Sequence, residues 1–138
     1  FRTALTFMVA QIVGGVCGVW LVHVMFDQPI LQLSQTARSG VNLWSSEIFA
    51  SFGLLLVVFG GLAHNAKAIP AMVGIYITGA YWFTSSTSFA NPAVSIARSL
   101  SDSFAGIFSA HVPMFIVCQL IGMALALGAI KVLFPKLQ

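Results

Sequence analysis

Residues 68–97 contain no acidic or basic side chain, and a proline stands near each end of this run, at Pro70 and Pro92. A transmembrane helix needs about 20 apolar residues, so the run is too long for one span and too short for two. Residues 84–88 in its middle are polar and read Thr-Ser-Ser-Thr-Ser. Irregular backbone at membrane depth is tolerated only where protein or a water-filled cavity satisfies its polar groups. The run therefore predicts a span, an elbow (residues 84–90) and a half-helix that begins at Asn91, an arrangement typical of a pore.

The composition assigns the chain to the membrane class. Hydrophobic residues make up 59% of it and charged residues 7%, whereas a soluble domain is about one quarter charged. The net charge of +3 is small, and the basic residues lie singly between apolar segments, as topology signals do. We therefore predict an integral, multi-pass membrane protein whose surroundings are the lipid bilayer, with no nucleic-acid partner.

The hydrophobic pattern predicts an all-α bundle of four membrane spans, at residues 3–26, 44–64, 69–83 and 112–134, plus the half-helix at residues 92–100. Because the spans alternate in direction, one side of the membrane receives Arg2, Lys67, Lys131 and Lys136. The opposite side receives Arg38, Asp27 and Asp102. The excess of basic residues on the first side makes it the cytoplasmic side.

The cysteines and histidines predict no metal site and no cofactor. Cys17 and Cys118 lie in separate apolar segments, where a thiol behaves as a small hydrophobic group. The three histidines, His23, His64 and His111, lie near segment ends and lack the i, i+3 or i, i+4 spacing of metal ligands. We expect all three histidines at the membrane interface.

The start of the half-helix follows from local chemistry. Asn91 is a favoured N-cap residue, and Pro92 suits the first helical position, where no amide donor is needed. Residues 92–100 extend about 14 Å, roughly half the hydrocarbon thickness. The helix N-terminus then brings a partial positive charge near the bilayer centre. This charge would disfavour protons and cations, while elbow carbonyls and the Asn91 amide offer hydrogen bonds to neutral solutes.

With Asn91-Pro92-Ala93 in this setting, the sequence resembles the aquaporin (major intrinsic protein) family. Residues 10–15 (Ala-Gln-Ile-Val-Gly-Gly) resemble the family's third span. Residues 46–53, with their Ser-Glu-Ile-Phe and Phe-Gly, resemble the fourth, and residues 119–122 (Gln-Leu-Ile-Gly) resemble the sixth. The resemblance implies that residues 1–138 are a partial aquaporin domain with an inverted-repeat helical bundle. It would contain family spans 3–6 and the second half-helix, while the first two spans and the first Asn-Pro-Ala are missing. From the start at Phe1 without a methionine, we expect a fragment.

The resemblance also implies roles for individual residues. Asn91 would be one of two pore asparagines that donate to the passing solute. Glu47 would hydrogen-bond the elbow backbone and keep its carbonyls directed at the pore. Independently of the resemblance, a lone acid at membrane depth is a functional hypothesis by default. The alternative for Glu47 is an interfacial residue near Trp44. Family resemblance further implies a homotetramer with one pore per subunit.

The predicted selectivity filter departs from that of strict water channels. The family normally carries an arginine three residues after the pore asparagine, and Val94 occupies that position. The fifth-span filter position falls at Gly79, where water-selective members carry histidine, and the elbow position is Ser88. We therefore expect a wide filter that passes water and small uncharged solutes such as glycerol or urea. Bacterial members that lack the arginine are associated with arsenite, which suggests metalloid acids as solutes and the bacterial inner membrane as location.

Arg98 lies one helical turn after Val94 and allows two interpretations. Its guanidinium could reach into the outer vestibule of the pore and partly restore the missing positive charge. Alternatively, it could form an i, i+4 ion pair with Asp102 at the surface, worth about 0.3–0.5 kcal/mol.

Three other classes of function compete with a passive channel. An intramembrane hydrolase would need a nucleophile with a base, but the serines at residues 85–88 have no histidine or lysine near them in sequence; we predict no catalytic residue. A coupled secondary transporter also uses broken helices, but coupling usually requires more intramembrane acids than Glu47 alone. An inactive half-channel is the third, because half a pore would expose polar elbow backbone to lipid.

Overall fold

The computed structural model describes residues 2–135, and these residues form helices without any strand. The α-helices are α1 (Arg2–Met25), α2 (Val41–His64), α3 (Ile69–Phe83), α4 (Pro92–Arg98) and α5 (Val112–Leu133). Short 3-10 turns, Ala66–Ala68 and Ser109–His111, precede α3 and α5. Three of the helical segments, α1, α2 and Ser109–Leu133, are long and apolar enough to cross a membrane. The predicted all-α membrane fold is confirmed.

The third predicted span is shorter than the others. Helix α3 has 15 residues, which gives it a length of about 22 Å against about 30 Å of hydrocarbon. The 3-10 turn before it adds roughly 6 Å. The helix ends because Thr84 takes an extended conformation, with φ −104° and ψ 139°. Helix α3 therefore approaches membrane thickness only together with its preceding turn, and its crossing stays a prediction.

Helices α2 and α5 form the central contact of the bundle. They approach so closely that a Cβ atom on Gly122 of α5 would overlap the carbonyl oxygen of Ile48 in α2. Such close approach through small residues is how membrane helices gain packing energy without a hydrophobic driving force. Helix α4 packs against α1, where the Cβ of Ala97 lies 3.1 Å from the position a Cβ would take on Gly15. Helix α4 also contacts α5, so the half-helix lies between α1 and α5.

The two long loops meet at one end of the bundle. The amide of Ser34 donates to the carbonyl oxygen of Ser99 at 2.9 Å, and that of Phe108 donates to Thr36 at 2.8 Å. Residues 26–40 and 99–111 thus form one layer, as the predicted sidedness requires. At the C-terminal ends of α2 and α5, the His64 ring meets Phe134 with centroids 6.0 Å apart. Lys136, which the sequence assigns to that side, lies outside the described residues.

Two polar residues, His23 and Arg38, are buried by the loop layer. His23 is 2% exposed, and its Nε2 shares a 3.0 Å hydrogen bond with the hydroxyl of Ser101 while its Nδ1 contacts the carbonyl oxygen of Ile30 at 2.9 Å. The interfacial position of His23 stays a prediction, but the ring is covered by protein and does not face solvent. Arg38, predicted in the polar loop on the same side as Asp27 and Asp102, is 6% exposed. The cause is the same for both residues: the loop layer folds over these side chains and provides their partners.

Candidate pore site

Asn91 forms the start of the half-helix by capping it. Its backbone is extended (φ −153°, ψ 126°), its Oδ1 accepts from the amide of Ala93 at 2.8 Å, and Pro92 takes the first helical position. The side-chain Nδ2 donates to Oε1 of Gln11 in α1 at 3.1 Å. Helix α4 ends at Arg98, two residues before the predicted end, because the following amides bond three residues back instead of four, as in Leu100 to Ala97 at 3.1 Å.

Glu47 is the acceptor around which the elbow is arranged. It is fully buried, with 0% exposure. Its Oε1 accepts from Ser86 Oγ at 2.5 Å and from the Phe89 amide at 2.9 Å. Its Oε2 accepts from the Ala90 amide at 2.9 Å and from Gln119 Nε2 at 2.7 Å. Glu47 therefore binds the elbow backbone and is not an exposed residue beside Trp44, and four donors compensate for the burial of its charge.

The elbow backbone is bent in a way that few side chains favour. Three non-glycine residues have positive φ angles: Thr87 at 62°, Ser88 at 48° and Ala90 at 49°. Each left-handed residue of this kind costs on the order of 1–3 kcal/mol and persists only where surrounding contacts enforce it. The two amides bound by Glu47 supply that enforcement. Within the described chain, the carbonyl oxygens of residues 87–90 receive no hydrogen bond.

Gln119 connects the acceptor to the half-helix. Its Nε2 donates both to Glu47 and, at 2.9 Å, to Ser95 Oγ in α4, and the side chain is 0% exposed. One buried amide group therefore ties α2, α4 and α5 together. The sequence identified Gln119 only as part of a family motif, although a glutamine in the middle of an apolar span needs a polar partner. The need for a polar partner could therefore have indicated from the sequence that Gln119 links buried polar groups.

Arg38 supports the elbow from the loop layer. Its guanidinium donates to three carbonyl oxygens, those of Ser86 at 3.0 Å, Phe104 at 2.8 Å and Gly106 at 2.7 Å. Its Cζ also lies 5.0 Å from the centroid of the Phe89 ring. Burial lowers the pKa of Arg38, and the negative charge of Glu47 acts in the opposite direction. Sequence reasoning missed this residue, because nothing local marks one arginine of a polar loop as buried.

The predicted filter residues lie in different surroundings. Val94 is half-buried beside a core that contains Phe89 and Phe115, and it lines an open groove between α1 and α4. Ser88 is 4% exposed, and its hydroxyl has no hydrogen-bond partner among residues 2–135. Gly79 lies in the last turns of α3, near the ring of Phe83. The groove lined by Val94 includes neither Gly79 nor Ser88, so a shared constriction stays a prediction.

The Arg98 guanidinium packs on the ring of Phe89, a residue of the elbow. Its Cζ lies 4.3 Å from the centroid of the Phe89 ring. Asp102, its expected ion-pair partner, accepts through Oδ1 from the amide of Gln35 at 2.8 Å. Within residues 2–135 there is no hydrogen-bond partner for the Nη1 of Arg98, although that atom is buried. The surface ion pair considered from the sequence is therefore wrong.

A comparison with known proteins finds a curated relative. Over 130 residues, 94% of the chain, the sequence is 43% identical to the curated aquaglyceroporin AqpS of Rhizobium meliloti (strain 1021). The chain is therefore similar to an aquaglyceroporin over nearly its whole length. It spans 56% of the length of that relative. No family profile matches the chain, and no solved structure matches it.

This similarity bears on two predictions made from the sequence. It confirms that the chain is part of an integral membrane protein, in agreement with its three span-length apolar helices. The relative is named an aquaglyceroporin, which agrees with the prediction that the chain is not an enzyme. The capped half-helix, the Glu47 cluster and the loop layer together form the candidate pore site.

Proposed function

We propose that this chain forms part of a passive channel for water and small uncharged solutes. The observation that carries the proposal is the Glu47 cluster, in which one buried carboxylate binds the amides of Phe89 and Ala90. By binding the amide side of the elbow, the carboxylate leaves the carbonyl oxygens of residues 87–90 without hydrogen-bond partners among residues 2–135. A row of free carbonyl oxygens at membrane depth is tolerated where it lines a water-filled path.

Asn91 supplies the matching donor in this proposal. Its side-chain amide has two N–H groups, and the bond to Gln11 uses one of them. The other can donate to a passing solute, while the cap formed by Oδ1 fixes the orientation of the amide group. The elbow carbonyl oxygens accept hydrogen bonds and the Asn91 amide donates one. This combination suits small molecules that both donate and accept hydrogen bonds.

Residues 1–138 would supply family spans 3–6 and the second Asn-Pro-Ala half-helix of a longer polypeptide. The remaining spans and a first half-helix would complete the pore. We further propose a homotetramer with one pore in each subunit, located in a bacterial inner membrane. Pro92 and Ala93 complete the second motif, as the first two residues of α4.

The filter residues favour solutes larger than water. Gly79, Ser88 and Val94 are small or apolar, so an arginine-free filter would be wide and would carry no charge of its own. Glycerol and urea fit this description. Arsenite in its neutral hydroxide form resembles glycerol in size and polarity, and a neutral wide filter is chemically compatible with it.

The test is solute flux through the full-length protein that contains this chain, reconstituted in lipid vesicles. Stopped-flow light scattering would follow water, glycerol and urea, and a direct uptake assay would follow arsenite. We expect flux along the solute gradient alone, unchanged when a proton or sodium gradient is imposed. Flux that follows an ion gradient would establish the coupled transporter instead. Vesicles that behave like protein-free vesicles would overturn the channel and support an inactive remnant.

A matched pair of variants connects the flux to the pore asparagine. Asn91→Asp keeps the Oδ1 cap but removes the amide donor, so it should reduce glycerol flux about tenfold, the scale of one lost hydrogen bond to a polar solute. Asn65→Asp makes the same chemical change at an exposed C-cap position after α2 and should leave flux unchanged. Equal flux in both variants would remove Asn91 from the proposed pathway.

A further inference from the structure

Two histidines bind the loop of residues 26–40 near its two ends. The Nδ1 of His23, in α1, lies 2.9 Å from the carbonyl oxygen of Ile30. The Nδ1 of His111, in the turn before α5, lies 3.0 Å from the amide nitrogen of Arg38. These contacts hold the loop in the layer from which the Arg38 guanidinium reaches the elbow.

The partners of the two rings fix opposite tautomers. A carbonyl oxygen can only accept, so the Nδ1 of His23 carries the proton and its Nε2 accepts from the hydroxyl of Ser101 at 3.0 Å. A backbone amide can only donate, so the Nδ1 of His111 is the acceptor and carries no proton. The proton of the neutral His111 ring is therefore on Nε2.

The His23 site can take up a second proton without losing a hydrogen bond. A proton on Nε2 would donate to the Ser101 oxygen, and the Ser101 hydroxyl would turn to Ser103 Oγ, which lies 3.0 Å away. Both hydroxyl groups can rotate, because a serine donates and accepts equally well. The contact between His23 and Ile30 stays in place in either charge state.

The His111 site cannot adapt in this way. The second proton would occupy Nδ1, the atom that accepts from the Arg38 amide, so two N–H groups would face each other. The amide is part of the backbone and cannot reverse its role. The His111 ring is half-buried and therefore within reach of protons from the surrounding water. Protonation thus breaks the contact that holds the end of the loop.

That contact is connected to the elbow through one residue. The guanidinium of Arg38 donates to the carbonyl oxygen of Ser86 at 3.0 Å, and the Ser86 hydroxyl in turn donates to Glu47. The same guanidinium binds the carbonyl oxygens of Phe104 and Gly106 in the second loop. A displaced Arg38 backbone therefore withdraws a donor from the elbow and from the loop layer together.

The charges around the layer do not compensate for a proton on His111. Asp102 accepts from the amide of Gln35, and Asp27 is exposed. Within residues 2–135, neither acid forms an ion pair with the ring. The titratable and charged groups of the two loops and of the helices that meet them are His23, Asp27, Arg38, Glu47, Arg98 and Asp102.

We propose that His111 is a pH sensor that regulates the channel through the loop layer. The neutral ring holds the Arg38 amide, and the guanidinium then supports the elbow. The protonated ring releases the amide, so the elbow loses this support and solute flux falls. An ordinary histidine changes its charge between about pH 5 and pH 8, which sets the range of the response. This inference rests on the proposed channel function.

The experiment measures glycerol flux by light scattering with the full-length protein in vesicles, buffered to the same pH on both sides. We expect the flux of the unmodified protein to fall about tenfold between about pH 7.5 and about pH 5.5, the scale of one lost hydrogen bond. Equal flux at the two pH values would overturn the pH sensor and leave the channel standing.

A matched pair of variants assigns the response to one ring. In His111→Asn the Oδ1 is attached to Cγ, as Nδ1 is in histidine, so it can accept from the Arg38 amide but does not titrate. This variant should conduct equally at both pH values. His64→Asn removes an exposed imidazole at the other end of the bundle and should keep the full response. A full response in His111→Asn, or its loss in His64→Asn, would overturn the role of His111.

Hydrogen exchange of the unmodified protein decides the case in which His111→Asn does not fold. After correction for the intrinsic effect of pH, the amides of residues 36–40 should exchange about tenfold faster at the lower pH, because the Arg38 amide is released. Unchanged protection would overturn the proposal. If the unmodified protein conducts no solute at any pH, the channel and its regulation both fall.

Discussion

The substitution Glu47→Gln gives the sharpest test of how the elbow is held. Glutamine has nearly the same shape as glutamate, but it replaces one acceptor oxygen by an NH₂ group. In the structure each carboxylate oxygen accepts two hydrogen bonds, one of them from an elbow amide. Whichever oxygen is replaced, one backbone amide, that of Phe89 or that of Ala90, then faces a donor.

The side-chain partners can adapt to this change, but the backbone cannot. Gln119 can rotate its amide and present Oε1, which has no partner among the described residues, and the Ser86 hydroxyl can accept instead of donate. One elbow amide nevertheless stays buried without an acceptor, at a cost of about 1–3 kcal/mol. That cost falls on a segment already strained at Ala90, with φ 49°. A free-energy cost of this size lowers the population of the functional elbow conformation about 5- to 150-fold.

The assay is glycerol flux per reconstituted subunit in the full-length protein, together with thermal unfolding in detergent. We expect Glu47→Gln to reduce flux about tenfold or more and to lower the unfolding temperature. Asp27→Asn is the matched control, since it also neutralises a carboxylate, at an exposed site whose φ of 51° asparagine tolerates. Unchanged flux and stability in Glu47→Gln, and again in Glu47→Ala, would refute the view that this carboxylate holds the elbow.

Three further perturbations address packing, the loop layer and the filter. Gly122→Ala should lower the free energy of unfolding by about 1–3 kcal/mol, because its methyl group would overlap an α2 carbonyl oxygen. The control is Gly128→Ala, where a Cβ meets nothing within 4 Å, and it should be neutral or stabilising in the same thermal assay. Equal effects of the two substitutions would contradict the packing argument. Arg38→Met leaves three carbonyl oxygens without their donor and should lower the free energy of unfolding by about 2 kcal/mol or more. Arg2→Met, at an exposed end of the chain, is the control and should cost little. Similar losses in both variants would mean that the buried guanidinium does not stabilise the loop layer. Val94→Arg should reduce glycerol flux about tenfold relative to water flux, since a long side chain then fills the groove between α1 and α4. An unchanged ratio of glycerol flux to water flux, measured by light scattering, would place the selectivity filter elsewhere.

The helices were predictable because local signals mark them. Apolar runs of membrane length gave α1, α2 and α5 to within a few residues, and the Asn-Pro pair gave the start of α4. Asn91 caps its helix in the predicted manner. Each of these features depends on side chains within about four residues of one another, which is the range that sequence periodicity and capping rules describe. The predicted second span begins at residue 44 and α2 begins at Val41. Helix ends often differ by a few residues between prediction and structure, because they too depend on local contacts.

The contacts of the candidate site were decided by residues far apart in the chain. Arg38 binds carbonyl groups 48 to 68 residues away, and no local pattern distinguishes it from a solvated loop arginine. Arg98 had a plausible partner four residues away, yet the loop layer provided Asp102 with another one. A short-range ion pair at a surface is worth too little to outweigh such tertiary contacts.

The sequence by itself determined the membrane class, the order of the helices and Asn91 as the start of the half-helix, and it named Glu47 as a candidate partner of the elbow. The tertiary structure alone decided which donors meet the Glu47 carboxylate, that Arg38 and Arg98 share the ring of Phe89, and that His23 is buried. The physical reason is the cost of burying polar groups. The sequence shows that a buried acid or arginine must find partners, but only the packing of α2, the elbow and the two loops determines which partners are within reach.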